Sequence, residues 1–290
     1  MMGGYSEVRS FAAAHGSLDP GAIAAYNRDG VVCLRNAFGN PWLEIIEEGM
    51  NAALSGASSD LDIVKIEGDK GRFSFSSQAW QKVEQFRRFI FDSPLADLSL
   101  QILQSDSLTL FYDFLLIKEA HSNSAATPWH QDHSYYPLRG TKVINCWTAL
   151  DPIPVETALR FWKGSHTPGT VYRAVNFENP SEAYKHARKE HPPIPDIDAI
   201  PDLEILSTAM APGYLLIFNS RTFHSAPGNM LGQRRAGFSV NWVGDDVTYE
   251  DVPALETYRD AGLKTGDRIN CGKFPMVRPI PGRAAAPSVG

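Results

Sequence analysis

The segment Pro128-Trp129-His130-Gln131-Asp132-His133-Ser134 places an imidazole and a carboxylate two residues apart. In an extended chain successive side chains alternate faces, so His130 and Asp132 project from the same side. Such a pair supplies two of the three ligands of a two-histidine, one-carboxylate facial site, which leaves three positions open on Fe(II). The remaining ligand has to come from a distant strand. His224 offers it, in Asn219-Ser220-Arg221-Thr222-Phe223-His224-Ser225-Ala226-Pro227-Gly228-Asn229, just after an apolar run, and Arg235 follows eleven residues on. Taken alone, a His–Asp pair reads as a structural hydrogen bond. Joined to a remote histidine and an arginine on later strands, it points to a metal centre. His133 competes as a ligand, but extended geometry turns it away from the face of His130.

The planar guanidinium of Arg235 suits bidentate binding of a carboxylate better than a lysine would. Arg235, Gly237, Ser239 and Asn241 alternate with Ala236, Phe238, Val240 and Trp242, so the arginine lies on the polar face of its strand. A cation inside a β scaffold is costly without an anionic partner, and a bound carboxylate would be one.

The elements that must position these residues follow from the patterning. Asp19-Pro20 signals a helix start, and residues 22–28 can carry the helix. Asp29-Gly30 then turns the chain into the short apolar strand Val31-Val32-Cys33-Leu34. Asn40-Pro41 opens a second helix, with Leu43, Ile46, Met50 and Ala53 on its buried face. Phe73 and Phe75 alternate with polar residues as in a strand. Residues 78–91 read as one helix with Trp80, Val83, Phe86 and Ile90 in a stripe, and residues 94–104 as another. Residues 18–104 thus form a helical preface packed across the outside of a sheet.

From Ser107 the period becomes two. Residues 108–117, 143–150, 213–218 and 235–243 are strands bounded by Gly and Pro, the pattern of an antiparallel sandwich or jelly roll. The expected fold is mainly β with helical additions, its core spanning 107–245. An insertion at 169–203 carries Pro192-Pro193, Pro195 and Pro201, which favour extended or turn geometry, and a short polar helix is expected over 181–189. Insertions on rigid β scaffolds commonly serve as lids or substrate walls. Residues 1–16 carry no strong pattern. The C-terminal extension 246–290 has a helix expected over 253–261 and a frayed tail from 281. All 290 residues are expected to form a single domain.

The totals narrow the class. A hydrophobic fraction of 43% with 21% charged residues suits a soluble globular protein. A formal charge of −6 argues against non-specific binding to nucleic acid or to anionic membranes. The three cysteines Cys33, Cys146 and Cys271, odd in number and widely spaced, provide no disulfide framework and fit a reducing compartment. With no secretory leader pattern at the N-terminus and no long apolar window, the expected location is cytoplasmic and the expected partner a small molecule. The sequence itself assigns no oligomeric state.

At these residues the chain resembles the phytanoyl-CoA-dioxygenase-like Fe(II)/2-oxoglutarate oxygenases, over residues 20–245. The resemblance rests on Leu115-Leu116-Ile117-Lys118, on Thr127-Pro128-Trp129-His130-Gln131-Asp132, on Asn145-Cys146-Trp147-Thr148-Ala149-Leu150-Asp151 and on the turn Gly164-Ser165-His166. It implies a double-stranded β-helix, with iron as cofactor and 2-oxoglutarate and O2 as cosubstrates. It also implies that His130, Asp132 and His224 hold the iron, that Arg235 takes the distal carboxylate of 2-oxoglutarate, and that Lys118 and Trp147 line the cosubstrate pocket. The chain departs from the family pattern at Ala226, where relatives carry a hydroxyl, and at Glu156-Thr157-Ala158-Leu159-Arg160, where relatives carry Asn-Gly before the turn.

Halogenases of this general class replace the carboxylate ligand by Ala or Gly. Asp132 therefore predicts oxygenation, namely hydroxylation of an unactivated C–H bond with release of succinate and CO2. Arg139, Arg160, Lys163 and Arg173, with Lys65 and Arg72 from the preface, suggest a small anionic substrate such as a carboxylate or phosphonate. His133, Tyr135 and Arg160 are the candidate substrate contacts. The alternatives are a cupin-like metal enzyme that does not use 2-oxoglutarate, or an acyl-CoA hydroxylase.

Overall fold

The computed structural model describes residues 5–13, 17–55, 64–68, 71–121, 126–177, 179–252 and 260–278, without the side chains of 64–68 and 71–73. The first half carries β1 (Ser6–Glu7), β2 (Ser10–Ala12), α1 (Pro20–Asp29), β3 (Val31–Arg35), α2 (Asn40–Leu54), β4 (Val64–Gly68), β5 (Gly71–Ser77), α3 (Glu84–Asp92), α4 (Leu95–Leu103), β6 (Leu108–Lys118) and β7 (Thr127–His130). The second half carries β8 (Leu138–Arg139), β9 (Val143–Ala149), β10 (Arg160–Trp162), β11 (Ile205–Ser207), β12 (Leu215–Asn219), β13 (His224–Ala226), β14 (Arg235–Val243), β15 (Thr248–Tyr249) and β16 (Met276–Arg278).

The strands form two main sheets. The larger has the order β2-β3-β12-β9-β14-β6-β5-β4, with β16 also paired to β6, and the smaller has the order β1-β11-β10-β13-β7. From β7 to β14 the chain passes repeatedly between them: β7, β10, β11 and β13 lie in the smaller sheet, while β9, β12 and β14 lie in the larger. That interleaving is a double-stranded β-helix, as expected.

The four helices cover the outer face of the larger sheet. Ala236, Phe238, Val240 and Trp242 of β14 point into that layer and are buried with Phe86, Phe89, Ile90 and Leu98. Phe86 stacks on Phe238 with ring centroids 4.5 Å apart. Each of the buried Phe, Val, Ile and Leu side chains contributes about 1.5–3 kcal/mol through loss of apolar surface from water. The start of α1 is set as the sequence indicates: Pro20 occupies its first turn, and the Asp19 side chain accepts the Gly21 N–H. The helix ends at Gly30, with φ +80°, where a Cβ would lie 2.4 Å from Thr222 Oγ1. Both the left-handed backbone and the close approach require glycine there.

Three expectations change. Residues 78–91 are not one helix: a 3-10 turn over Ala79–Gln81 precedes α3, with Gln78 left-handed and Val83 extended. The cause is tertiary, since the buried carboxylate of Asp113 on β6 accepts the Trp80 backbone N–H at 3.3 Å and caps the turn separately. Residues 181–189 form turns, with a bridge between Val175 and Ala183, because the backbone pairs across the insertion. At the N-terminus, β1 and β2 are ordered by parallel pairing to β11 and β3. Of the helix expected over 253–261, residues 253–259 lie outside the described residues, as does the tail beyond 278.

Candidate active site

His130 closes β7, and its partner across the antiparallel β7–β13 pair is His224. Their rings are 4.1 Å apart. Strand β7 does not run through Asp132: Gln131 is extended, and a 3-10 turn begins at Asp132. The alternation of faces therefore holds for the single step that matters. Asp132 Oδ1 lies 3.4 Å from His130 Nε2 and 3.7 Å from His224 Nε2. The three donor atoms lie within 4.8 Å of one another, and all three residues are buried.

The other ring nitrogens are fixed. His130 Nδ1 lies 2.9 Å from the Pro128 carbonyl and His224 Nδ1 lies 3.0 Å from the Thr222 carbonyl. A carbonyl only accepts, so each Nδ1 carries a proton, which leaves each Nε2, on the Asp132 side, as the nitrogen able to ligate a metal. Burial, and then the neighbouring His130, push the His224 imidazole down to about 4. Burial alone would raise Asp132, but His224, His130 and the Asn145 amide outweigh it and hold the carboxyl at about 2. Neutral imidazoles beside an ionised carboxylate are the forms in which these groups bind a metal, and the donor set fits Fe(II).

Two residues the sequence reading passed over complete the centre. Asn145 of β9 donates from Nδ2 to Asp132 Oδ2 at 3.0 Å, and Ser239 of β14 donates to Asn145 Oδ1. This chain ties a ligand beside the smaller sheet to the floor of the larger one. The signal was present as an amide among Val143, Trp147 and Ala149 on the inward face of β9. Gln131, fully buried between His130 and Asp132, donates to the carbonyls of Arg221 and Thr170 and accepts the Tyr172 N–H, pinning the start of the insertion. In the Gly164-Ser165-His166 turn, Ser165 Oγ accepts the Phe223 N–H at 2.9 Å and so fixes the approach to His224. His166 faces away from the metal centre, against the Asn27 carbonyl at the end of α1.

The inward face of the larger sheet is a grid of cross-strand rows. Lys118 pairs with Arg235, Leu116 with Gly237, Phe114 with Ser239 and Tyr112 with Asn241. Ser239 and Asn241 pair in turn with Trp147 and Asn145. A Cβ on Gly237 would lie 2.2 Å from the Trp147 ring, so this glycine is what allows the indole to lie flat across β14. The Arg235 guanidinium sits over that indole, 5.5 Å from the ring centroid.

Arg235 is 7% exposed and Lys118 is 3% exposed. Arg235 Nε has no hydrogen-bond partner, and burial pulls the guanidinium down to about 10. Lys118 donates to the Pro227 carbonyl and, more weakly, to Thr127 Oγ1; burial, together with the Arg235 charge, lowers it well below the usual lysine range. Two adjacent buried basic side chains, with no carboxylate between them among the described residues, fit a bound dicarboxylate end-on.

The remaining candidates fall in different places. Tyr135 is 6.1 Å ring to ring from His130, and its hydroxyl is held in the insertion by Val175, donating to the carbonyl and accepting the N–H. His133 is buried against Ser220 Oγ at 3.0 Å, and burial pushes it down to about 3, so it is neutral. Arg160 pairs with Ser225 while its neighbour Phe161 pairs with His224. Alternation therefore sends Arg160 off the opposite face of the smaller sheet, where it bonds Ser225 Oγ and lies over Trp129. Arg139 is bound to Glu250, Lys163 to Glu204, and Arg173 to the carbonyls of His191 and Lys189. The side chains of Lys65 and Arg72 lie outside the described residues.

Residues 26–237, which include His130, Asp132, His224 and Arg235, match the family model described as phytanoyl-CoA dioxygenase (PhyH). The chain belongs to that family. It is accordingly an Fe(II)/2-oxoglutarate-dependent oxygenase, an enzyme whose cofactor is iron and whose cosubstrates are 2-oxoglutarate and O2. Among solved structures, the non-heme α-ketoglutarate-dependent carbocyclase SnoK from nogalamycin biosynthesis matches with a TM-score of 0.70 at 21% identity, over 94% of this chain and 99% of that one. The epimerase SnoN from the same biosynthesis matches with a TM-score of 0.70 at 21% identity, over 92% and 100% of the two chains. EctD from S. alaskensis, in its apo form, matches with a TM-score of 0.62 at 17% identity, over 82% and 81%. Among curated proteins nothing matches this chain. At these identities the structures speak for the shared fold. Among the described residues, no helix is long and apolar enough to cross a membrane.

Proposed function

We propose that this member of the family hydroxylates an unactivated C–H bond of a small molecule, with His130, Asp132 and His224 as the iron ligands and Arg235 as the anchor of 2-oxoglutarate. The observation that carries the reading is the pairing of a preformed two-histidine, one-carboxylate cluster with a buried, unneutralised arginine on the same inner surface. Bound iron and 2-oxoglutarate supply the oxidation, in which one oxygen atom of O2 enters the substrate as hydroxyl and the other enters succinate as CO2 leaves.

The protein's own part is binding, orientation and exclusion of water. The carbonyls of Pro128 and Thr222 hold the imidazoles in the ligating tautomer. The Asn145 amide occupies Oδ2 of Asp132 and leaves Oδ1 toward the histidines, favouring a single carboxylate oxygen as ligand. Arg235 receives the distal carboxylate, and Lys118 adds a second positive charge beside it. Trp147 supplies a flat wall under the guanidinium. Ala226 has no hydroxyl to offer the cosubstrate, which places more of the anchoring on this pair of cations.

The test is release of CO2 from carboxyl-labelled 2-oxoglutarate. It should require Fe(II) and O2 together, and should fall to background in His224→Ala. Undiminished release in His224→Ala would refute the ligand assignment. Iron binding without any 2-oxoglutarate turnover would favour a metal enzyme that does not use this cosubstrate.

A further inference from the structure

From the side chains that face the His130–Asp132–His224 cluster we infer that the substrate is a neutral molecule carrying a flat ring system, stacked against an aromatic wall built by the insertion. This rests on the oxygenase reading above and names the class of molecule that site receives. Strand β6 lies inside the larger sheet, between β14 and β5, yet Tyr112, Phe114 and Leu116 are each half-buried between buried neighbours. A mid-sheet strand accessible only at every second residue shows that its inward face is not fully closed over by packing. The β5–β6 side of this surface is apolar and aromatic, beside the polar β9–β14 side: Phe75 lies 5.4 Å from Phe114, and Tyr112 lies 5.7 Å from Tyr136.

The second wall comes from the insertion and from the turn that follows Asp132. Phe177 packs edge-on to the His130 ring at 4.7 Å and to Tyr135 at 5.6 Å, and Tyr135 lies 5.5 Å from Tyr184. Despite touching a metal ligand, Phe177 is 47% exposed. A phenyl ring left in water at that position forgoes hydrophobic stabilisation that a bound apolar surface would supply. The Tyr135 hydroxyl is held from both sides by Val175, so its ring orientation is fixed before a substrate arrives.

Charge points the same way. Arg139 and Lys163 have carboxylate partners, Arg173 is spent on backbone carbonyls, and Arg160 leaves by the other face of the smaller sheet. Among the described side chains, the cations on the inward face of β6 and β14 are Lys118 and Arg235, and both are taken by the cosubstrate. A small anion would therefore meet aromatic rings rather than unpaired positive charge, whereas a neutral ring can lie edge or face against Phe177 and Tyr135.

The experiment titrates the protein with 2-naphthol, decan-1-ol and propylphosphonate, read by calorimetry, both metal-free and after anaerobic loading with Fe(II) and 2-oxoglutarate. The visible charge-transfer band of the loaded sample reports separately on iron and cosubstrate, so a missing band faults the oxygenase assignment while the binding curves judge this inference. The expected result is that 2-naphthol binds in preference to the other two. Phe177→Ala and Phe177→Leu should each weaken its binding about tenfold, since leucine keeps apolar bulk but loses the ring contacts. Equal binding of decan-1-ol with Phe177→Leu at full affinity would overturn the flat-ring class. Preferential binding of propylphosphonate, or no binding of 2-naphthol to either form, would overturn it as well.

Discussion

The two faces of β14 differ in kind. Its outward residues, Ala236, Phe238, Val240 and Trp242, lie in a helix-covered apolar layer, where the Trp242 indole N–H is the one polar side-chain atom they bury without a partner. Its inward residues, Arg235, Gly237, Ser239 and Asn241, meet polar or open surroundings, and two of them, Arg235 and Asn241, keep buried nitrogens without partners. Unpaired polar atoms weaken a fold, and an unpaired guanidinium N–H beside an unpaired amide costs more than a single indole N–H set in apolar packing, so the inward face is the one built to meet something else. The outer face holds the protein together, and the inner face is the one proposed to receive iron and 2-oxoglutarate. Substitutions on the two faces should accordingly separate stability from binding.

The largest effect on stability belongs to the outer face. Phe238→Ala removes a fully buried ring stacked on Phe86, and should lower unfolding free energy by about 3–5 kcal/mol in denaturant titration. The folded fraction should still bind 2-oxoglutarate with unchanged affinity. A parallel loss of cosubstrate affinity per folded molecule would break the separation of the two faces.

On the inner face, Asn145→Ala leaves Asp132 Oδ2 without its amide donor and Ser239 without its acceptor. Affinity for Fe(II), or for Mn(II) followed by its magnetic resonance signal, should fall about 10–100-fold, as is usual when a ligand loses its orienting partner. Asn145→Asp would place a second anion there and should not restore the wild-type affinity. Metal binding equal to wild type in Asn145→Ala would reduce the Asp132–Asn145–Ser239 chain to packing.

A smaller, pH-dependent effect sharpens the contrast from the helix side of β6. Burial raises the Asp113 carboxyl to about 7, against 3.8 for the ordinary group. The folded protein therefore keeps a proton that the unfolded chain has already lost, and stability should decline as pH rises from about 4 to about 7 and then level off. Asp113→Asn should flatten that part of the stability profile in thermal melts taken between pH 5 and pH 8. An unchanged slope would locate the ionisation elsewhere.

The parts of this molecule that were legible in the sequence are those where one residue type has few other uses. A His-x-Asp pair, a remote histidine after an apolar run, and an arginine on the polar side of an alternating strand have little reason to coexist except to bind something, and the structure gathers His130, Asp132 and His224 into one cluster with Arg235 on the same inner surface. Asn145 and Ser239 escaped because amides and hydroxyls in strands serve many purposes, and their role appears only when β9 and β14 lie side by side. Arg160 illustrates the opposite risk. Its charge suggested a substrate contact, yet the two-residue period, once β10 is placed against β13, turns it outward. The helix expected over 78–91 failed for a similar reason, because the Asp113 carboxylate that caps the 3-10 turn comes from a strand distant in sequence.

The most direct measurement is anaerobic titration of the wild type and Arg235→Ala with Fe(II) and 2-oxoglutarate, following the weak visible metal-to-ligand charge-transfer band. The wild type should develop the band. Arg235→Ala should bind Fe(II) but require at least a hundredfold more 2-oxoglutarate, because it loses two charge-assisted hydrogen bonds to the distal carboxylate. A band that forms at the same 2-oxoglutarate concentration in both proteins, or iron binding in the wild type with no band at all, would contradict the assignment of the inner face.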